Sequence, residues 1–310
     1  MSSLPIISLA AFEQADSAAQ EAEKLRDACL EHGFFYLKDH GVSPNVVNAT
    51  LKASRDFFNL PDEVKCQYGH DVQKVYPKSS RGYIPMYGET LHEDEGPDSK
   101  EIFDLGVERP LSGQPFTGPN ILPDERIAPA FATAHAAIQE EIMGKVTPKL
   151  VRALALALGQ EATFFDQYFT EPMLIQRVIH YPGTYSSAGK HTDTAFMTVL
   201  IQEELSSPSL RVQSKGEWID VPCLENTFVI NLGDMLQYWT DGLFVSTPHE
   251  VKHSLPVSRL SIPFFVYPNI ETIFTPFGSD ETVSVKEVAL KNFDSIWLLG
   301  EGAGRAKELK

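Results

Sequence analysis

Residues 191–202 read HTDTAFMTVLIQ, and the rest of the chain is best understood outward from them. From position 195 the run is apolar, with Thr198, Val199 and Ile201 β-branched, which predicts a buried strand over 195–202. Just ahead of it stand His191 and Asp193. Residues i and i+2 of an extended segment point to one face, so an imidazole and a carboxylate lie side by side at the head of this strand. Spacing alone is a weak signal. His92-Glu93-Asp94 repeats it in an acidic stretch that no strand follows, and reads as a solvated turn.

Around this stretch the texture is of short strands divided by turn residues. They are expected over 174–181, 210–213, 217–221, 227–231, 249–253, 261–267 and 271–274. Many short strands at close spacing predict a sandwich, barrel or jelly roll. Pro263 belongs on an edge or near a bulge, because it has no N–H for a ladder. A helix over 285–299 closes the chain.

Upstream the pattern is mainly helical. A short strand over 4–7 precedes a helix over 17–32, with Ser17 and Gln20 as a capping box and Leu25, Cys29 and His32 on one face. Gly33 stops it, and FFYLK (34–38) is a buried strand. Ser43-Pro44 opens a helix carrying Val47, Leu51, Ser54 and Phe58 at helical spacing. Ile127, Phe131, Ala134, Ile138 and Ile142 mark a long helix, kinked or interrupted at Pro148 and ended by Gly159. Residues 68–125 are rich in Pro, Gly, Asp and Glu and are expected to be a folded, functional loop. The organisation is thus an N-terminal region, 1–125, packed on a catalytic domain, 126–310. Helices come mainly first and strands second, without the alternation of a doubly wound sheet.

Composition narrows the function classes. The 310 residues include 26 Lys+Arg and 42 Asp+Glu, a net charge of −16, with 43% hydrophobic and 22% charged residues. That is ordinary globular composition. The acidic balance and the lack of a basic cluster argue against nucleic acid and anionic membrane surfaces as partners. Cys29, Cys66 and Cys223 are odd in number and far apart, so no disulfide framework or Cys-zinc site is expected. No run approaches the roughly 20 apolar residues of a membrane helix, and the expected location is the cytoplasm.

Chemistry requires more than one His-x-Asp pair. His249, in STPHEV (246–251), supplies a second imidazole on a predicted strand. Two histidines and one carboxylate suit a facial triad on non-haem Fe(II), which leaves coordination positions open for a co-substrate and O2. Zinc, tetrahedral and hydrolytic, is the competing metal. Arg259 and Ser261 again stand two apart and share a face, offering a guanidinium fork and a hydroxyl to a carboxylate. An internal Asp or Glu is the alternative partner for that arginine.

The order His-x-Asp, then NLGDMLQYWTDG (231–242), then TPHEV, then RLS resembles the isopenicillin N synthase-like branch of the 2-oxoglutarate/Fe(II)-dependent dioxygenases. LPIISL, GFFYLKDHGV and FFNLPDEVK are similar to that family's amino-terminal region, so the likeness covers nearly the whole chain. It implies a mainly β fold, a distorted jelly roll or double-stranded β-helix, with flanking helices. It implies His191, Asp193 and His249 as ligands of Fe(II), with no catalytic residue beyond the metal site. Arg259 and Ser261, assisted by Tyr181, would hold the distal carboxylate of 2-oxoglutarate. The implied reaction consumes O2, converts 2-oxoglutarate to succinate and CO2, and oxidises a small molecule. Three positions depart from common family residues: Ile179 where many plant members carry Asn, Glu250 where Arg is frequent, and Ser209 where Gly is common.

For substrate, residues 82–90 and 98–104 resemble the branch with homoarginine hydroxylases and, more distantly, the ethylene-forming enzyme. That implies a guanidino amino acid, with Glu89 as its acidic partner and Arg177 meeting a substrate carboxylate. Glu89 can equally be read as a loop-capping or solvated residue. Tyr83 and Phe103 are the aromatic candidates of the same segment, with loop core as their other role. An oxidase of the isopenicillin N synthase type, ethylene formation from 2-oxoglutarate, and a metal-binding sensor without turnover stay open as alternatives.

Overall fold

The structure is a computed structural model that describes residues 3–69, 80–91, 97–183, 185–203 and 205–293. In chain order the elements are β1 (Ile6–Ser8), α1 (Ala15–Glu31), β2 (Phe34–Lys38), α2 (Pro44–Phe58), α3 (Asp62–Lys65), β3 (Gly82–Ile84) and β4 (Glu101–Gly106). Then follow α4 (Phe131–Glu141), a π-helical turn (Ile142–Val146), α5 (Thr147–Ala157), β5 (Met173–Tyr181), β6 (Ser186–His191), β7 (Met197–Gln202), β8 (Leu210–Ser214) and β9 (Glu217–Asp220). The last are β10 (Phe228–Leu232), α6 (Asp234–Trp239), β11 (His249–His253), β12 (Arg259–Tyr267), and the short pair β13 (Ile273–Phe274) and β14 (Val283–Ser284). Residues 285–293 are helical. The remainder of the helix expected to 299, and the His92-Glu93-Asp94 repeat, lie outside the described residues.

Two sheets build the body. An eight-stranded sheet runs β1-β2-β10-β7-β12-β5-β4-β3, and a four-stranded sheet runs β6-β11-β8-β9. Side-chain alternation divides the larger sheet into two faces. Phe35, Ile230, Val199, Phe264, Val178 and Phe103 join the cluster that also holds Leu25, Phe57, Phe131 and Leu154 of the helices. Phe34, Val229, Leu200, Ile179 and Ile102, each one residue out of phase, join Leu210, Val212 and Val251 of the smaller sheet. One face therefore packs on helices and the other closes the jelly roll.

Several elements depart from the sequence reading. Residues 68–125 contribute two strands, β3 and β4, to the large sheet rather than loop alone. Strand β6 is also new; SSAGKH lacks an apolar alternation and is held by pairing with β11. Ser17 is no N-cap: α1 starts two residues earlier and the Ser17 hydroxyl donates to the carbonyl of Ala11 at 2.8 Å. Pro263 is on neither an edge nor a bulge, but in central strand β12. The ladder to β7 continues through Pro263, opposite Leu200, while pairing with β5 lapses at Ile262 and Pro263 and resumes at Phe264. Pro148 is the second residue of α5, and the π turn just before it supplies the expected interruption of the helical ladder.

Candidate metal and co-substrate site

Strands β6 and β11 pair so that His191 and His249 are direct cross-strand partners, their ring centroids 4.3 Å apart. The register between these strands shifts next to this pair, leaving an extra residue on β6. The freed amide of Gly189 donates to Asp98 Oδ1 at 2.8 Å, and the Gly189 carbonyl accepts from His191 Nδ1 at 2.7 Å. His249 Nδ1 donates to the Thr247 carbonyl at 3.1 Å. Each imidazole thus has its tautomer fixed from behind, with Nε2 left as an acceptor.

Asp193 completes the set. Its Oδ2 accepts from Thr198 Oγ1 at 2.6 Å and Asn231 Nδ2 at 2.7 Å. Its Oδ1 lies 3.8 Å from His191 Nε2 and 3.7 Å from His249 Nε2. The three ligand atoms fall within 4.8 Å of one another. Burial, reinforced by His249, pushes His191 down to about 3, so it is neutral and able to ligate. Burial alone would raise the Asp193 carboxyl, but His249, His191 and the two hydrogen bonds outweigh it and hold the acid below its ordinary value. Gly233 lets α6 approach this turn. A Cβ there would fall 1.8 Å from the Ala195 carbonyl oxygen, and the Asp234 amide donates to the Asp193 carbonyl at 2.7 Å.

The triad opens into a cavity of about 410 Å³ between the sheets. Arg259, Ser261 and Tyr181 line it too. Arg259 is 2% exposed, donates from Nη2 to Gln202 Oε1 at 3.1 Å, and stacks over the Tyr181 ring at 5.2 Å. Its Nη1 has no hydrogen-bond partner within the protein. A buried guanidinium nitrogen left this way is costly unless an outside acceptor meets it.

The remaining sequence candidates divide by strand parity. Tyr83 and Phe103 face the helices, on the opposite side of the sheet from the cavity. Phe103 packs on Phe57 and Phe131, and the Tyr83 hydroxyl donates to Glu101 Oε2 at 2.6 Å. Arg177 does line the cavity, one step past Ser261 along the β5–β12 pair. Glu89 is buried beside it and bridges two cations: Arg177 Nη1 donates to Oε1 at 2.7 Å and Lys100 Nζ lies 2.9 Å from Oε2. These cations outweigh the burial that would raise its carboxyl and hold Glu89 far below the usual range. Asp104 grips the other side of Arg177 through Nε and Nη2, at 2.8 and 2.9 Å.

The sequence reading assigned no role to Thr198, Asn231, Asp98 or Lys100. Thr198 was recoverable, since strand parity puts it on the cavity face with Leu200. Asp98 and Lys100 act through contacts that only the folded chain creates.

Residues 170–268 match the 2OG-Fe(II) oxygenase superfamily, and residues 4–125 match the N-terminal region of non-haem dioxygenases described from morphine synthesis. A 2-oxoglutarate-dependent dioxygenase of Aspergillus niger, caaD, is 31% identical over 90% of this chain and 88% of its own length. The chain belongs to the 2-oxoglutarate/Fe(II) oxygenase superfamily. Homoarginine-6-hydroxylase 2-ODD-233 of Oryza sativa is 31% identical over 83% of this chain and 80% of its own. A full-length Neurospora crassa protein, solved in complex with alpha-KG and thymine, superposes with a TM-score of 0.82 at 25% identity, covering 94% of this chain and 96% of that one. The superfamily assignment makes the protein an Fe(II)- and 2-oxoglutarate-dependent dioxygenase on a double-stranded β-helix. The donor set fits that cofactor: two imidazoles and one carboxylate, with a buried guanidinium awaiting an acceptor in the same cavity. No helix among the described residues is long and apolar enough to cross a membrane.

Proposed function

We propose that His191, Asp193 and His249 hold the iron and that Arg259, Ser261 and Tyr181 receive the distal carboxylate of 2-oxoglutarate. The observation that carries the reading is the division of labour within each side chain. One atom is tied back to the protein while the other, His Nε2 or Asp Oδ1, converges on its neighbours. Bound together, iron and 2-oxoglutarate activate O2 for oxidation of a C–H bond, with succinate and CO2 released. The chain's own part is to orient the ligands, neutralise the carboxylate, and exclude water with an apolar wall that includes Phe34, Ile179, Leu200 and Phe265.

The substrate is read as a small organic molecule, oxidised in the same cavity by a cytoplasmic enzyme. Regions 1–125 and 126–310 work as one unit, because Phe34, Thr90, Leu91 and Lys100 of the first line a cavity whose metal ligands come from the second. Arg177 is one residue on the cavity wall that we assign to substrate. Three of its five N–H groups are committed to Asp104 and Glu89, and the rest can serve a ligand. A guanidino substrate is supported by the name of the Oryza relative. Against it, Glu89 already carries two cations, so a substrate guanidinium would have to displace one of them.

Anaerobic titration with Fe(II) and 2-oxoglutarate tests the assignment through the weak visible charge-transfer band of the chelate. The band is expected in the wild type and absent in His191→Ala. In Arg259→Ala its midpoint should move to at least about tenfold higher 2-oxoglutarate, the worth of a lost charged hydrogen bond. A band that survives His191→Ala unchanged overturns the ligand set.

A further inference from the structure

Six charged residues line the cavity: Asp193, Asp234, Lys100, Arg177, Arg259 and Lys190. All but one have an assigned task. Asp193 belongs to the triad, and Asp234 accepts from Thr192 Oγ1 at 3.0 Å. Lys100 is paired with Glu89 at 2.9 Å and Asp98 at 3.0 Å, and Arg177 with Asp104 and Glu89. Arg259 faces the proposed 2-oxoglutarate site. Lys190 is left over: among the described residues no carboxylate lies within ion-pair distance of its ammonium, although the residue is part-buried.

Its placement follows from the backbone. In a regular strand Lys190 and His191 would point to opposite faces. The register of β6 against β11 runs His249 opposite His191 but Val251 opposite Ala188, so two residues of β6, Gly189 and Lys190, stand against the one residue Glu250. Such a bulge re-aims a side chain. Here Ala188, Lys190 and His191 all line the cavity. Asp98, which takes the freed Gly189 amide on one oxygen, spends its other oxygen on Lys100, so it holds the bulge without neutralising Lys190. Around Lys190 the wall is apolar, with Ala188, Val251 and Leu210 in register across the three strands.

We propose that Lys190 is a specificity-determining residue that receives a carboxylate of the organic substrate, whose apolar body then lies along Ala188, Val251 and Leu210. The ammonium of a part-buried lysine with no counterion among the described residues is unfavourable in itself, and a bound acid offsets that cost. The substrate class is a small monocarboxylic acid with an apolar body. The inference rests on the site reading above, since it presumes that Arg259 is occupied by 2-oxoglutarate.

The test uses holoenzyme loaded anaerobically with Fe(II) and 2-oxoglutarate. It is titrated with matched probes: 3-phenylpropionate against 3-phenylpropionamide, and hexanoate against hexanamide. The readouts are perturbation of the chelate band and the shift in Tm. Each acid is expected to act at roughly tenfold lower concentration than its amide, and Lys190→Met to erase that preference. Lys190→Glu is expected to turn the preference toward 3-phenylpropylamine. Equal response to acid and amide in the wild type, including no response to any acid, overturns the proposal. So does a Lys190→Met enzyme in which 2-oxoglutarate is weakened as much as the acid, for then the ammonium serves the co-substrate. Loss of the chelate band from the wild type itself is a different result and counts against the site reading instead.

Discussion

His135 is buried and His191 half-buried, and loss of solvation pushes both down to about 3. They lie on opposite sides of the large sheet, and they do different things. On the helix side, His135 has both ring nitrogens occupied: Gln176 Nε2 donates to Nδ1 at 2.7 Å, and Nε2 faces Ser54 Oγ at 3.2 Å. On the cavity side, His191 ties back one nitrogen and keeps the other. A depressed pKa therefore marks burial on both faces and function on neither. What separates them is the unspent ring nitrogen. The acids of β4 repeat the contrast. Glu101, facing the helices, is closed off by Lys65 and Tyr83 at 2.6 Å and His180 at 2.7 Å, whereas Asp104, facing inward, holds an arginine that still borders open space.

The comparison breaks most sharply under exchange of readouts. His191→Ala should lower iron affinity by more than about 100-fold, beyond the range for loss of a ligand's supporting partner, and abolish succinate formation. Its folding stability should change little, because its ring spends one hydrogen bond on the protein. His135→Ala should do the reverse. It leaves Gln176 and Ser54 without their partner and opens a void, for a loss of about 2–4 kcal/mol in urea unfolding, while turnover per folded molecule is kept. If His135→Ala instead loses iron at unchanged stability, the two faces are not separable in this way.

A smaller effect sharpens the cavity side. Asn231→Ala removes one of the two donors to Asp193 Oδ2 and should weaken iron by about 10- to 100-fold, with Thr198→Val in the same range. Equal iron affinity in both variants and the wild type would show that the carboxylate needs no bracing.

How much of this was visible beforehand depends on where each residue's partner lies. His191 with Asp193 was legible because the apolar run of β7 follows the pair at once, and Arg259 with Ser261 because they stand two apart on the apolar strand β12. The helix-side core was legible for the same reason. Strand β6 was not, since Ser186–His191 owes its extended form and its bulge to β11, some sixty residues away. For Tyr83 and Phe103 the core reading is the one the fold bears out, but which side of a sheet they pack on was not legible. Their facing depends on β3 and β4 joining the sheet, and EIFDLG carries a charge on each face, so alternation gave no direction. Glu89 looked like a free acid because Lys100 and Arg177 reach it only in three dimensions. Pro263 looked like an edge residue because the sequence cannot show a ladder that lapses on one side only.

The gentlest test of the comparison is titration. Among the described residues no acid pairs with His135 and no further metal ligand gathers round it, so its proton linkage is set by burial. Its folded value, about 3, lies below the ordinary value of 6.5. A depressed histidine contributes stability in full above the unfolded value and loses it as pH falls toward the folded one, because the unfolded chain takes up the proton first. Stability should therefore decline below pH about 6.5, by up to about 1.4 kcal/mol per pH unit from this residue. His135→Gln keeps polar atoms in the site and has nothing to titrate. It should start less stable at pH 7.5 and lose less on going to pH 5. Urea midpoints of both proteins at the two pH values, with iron absent, decide the matter. Parallel declines would mean that the acid sensitivity comes from elsewhere and that the closed helix-side network holds its histidine more loosely than its two hydrogen bonds imply.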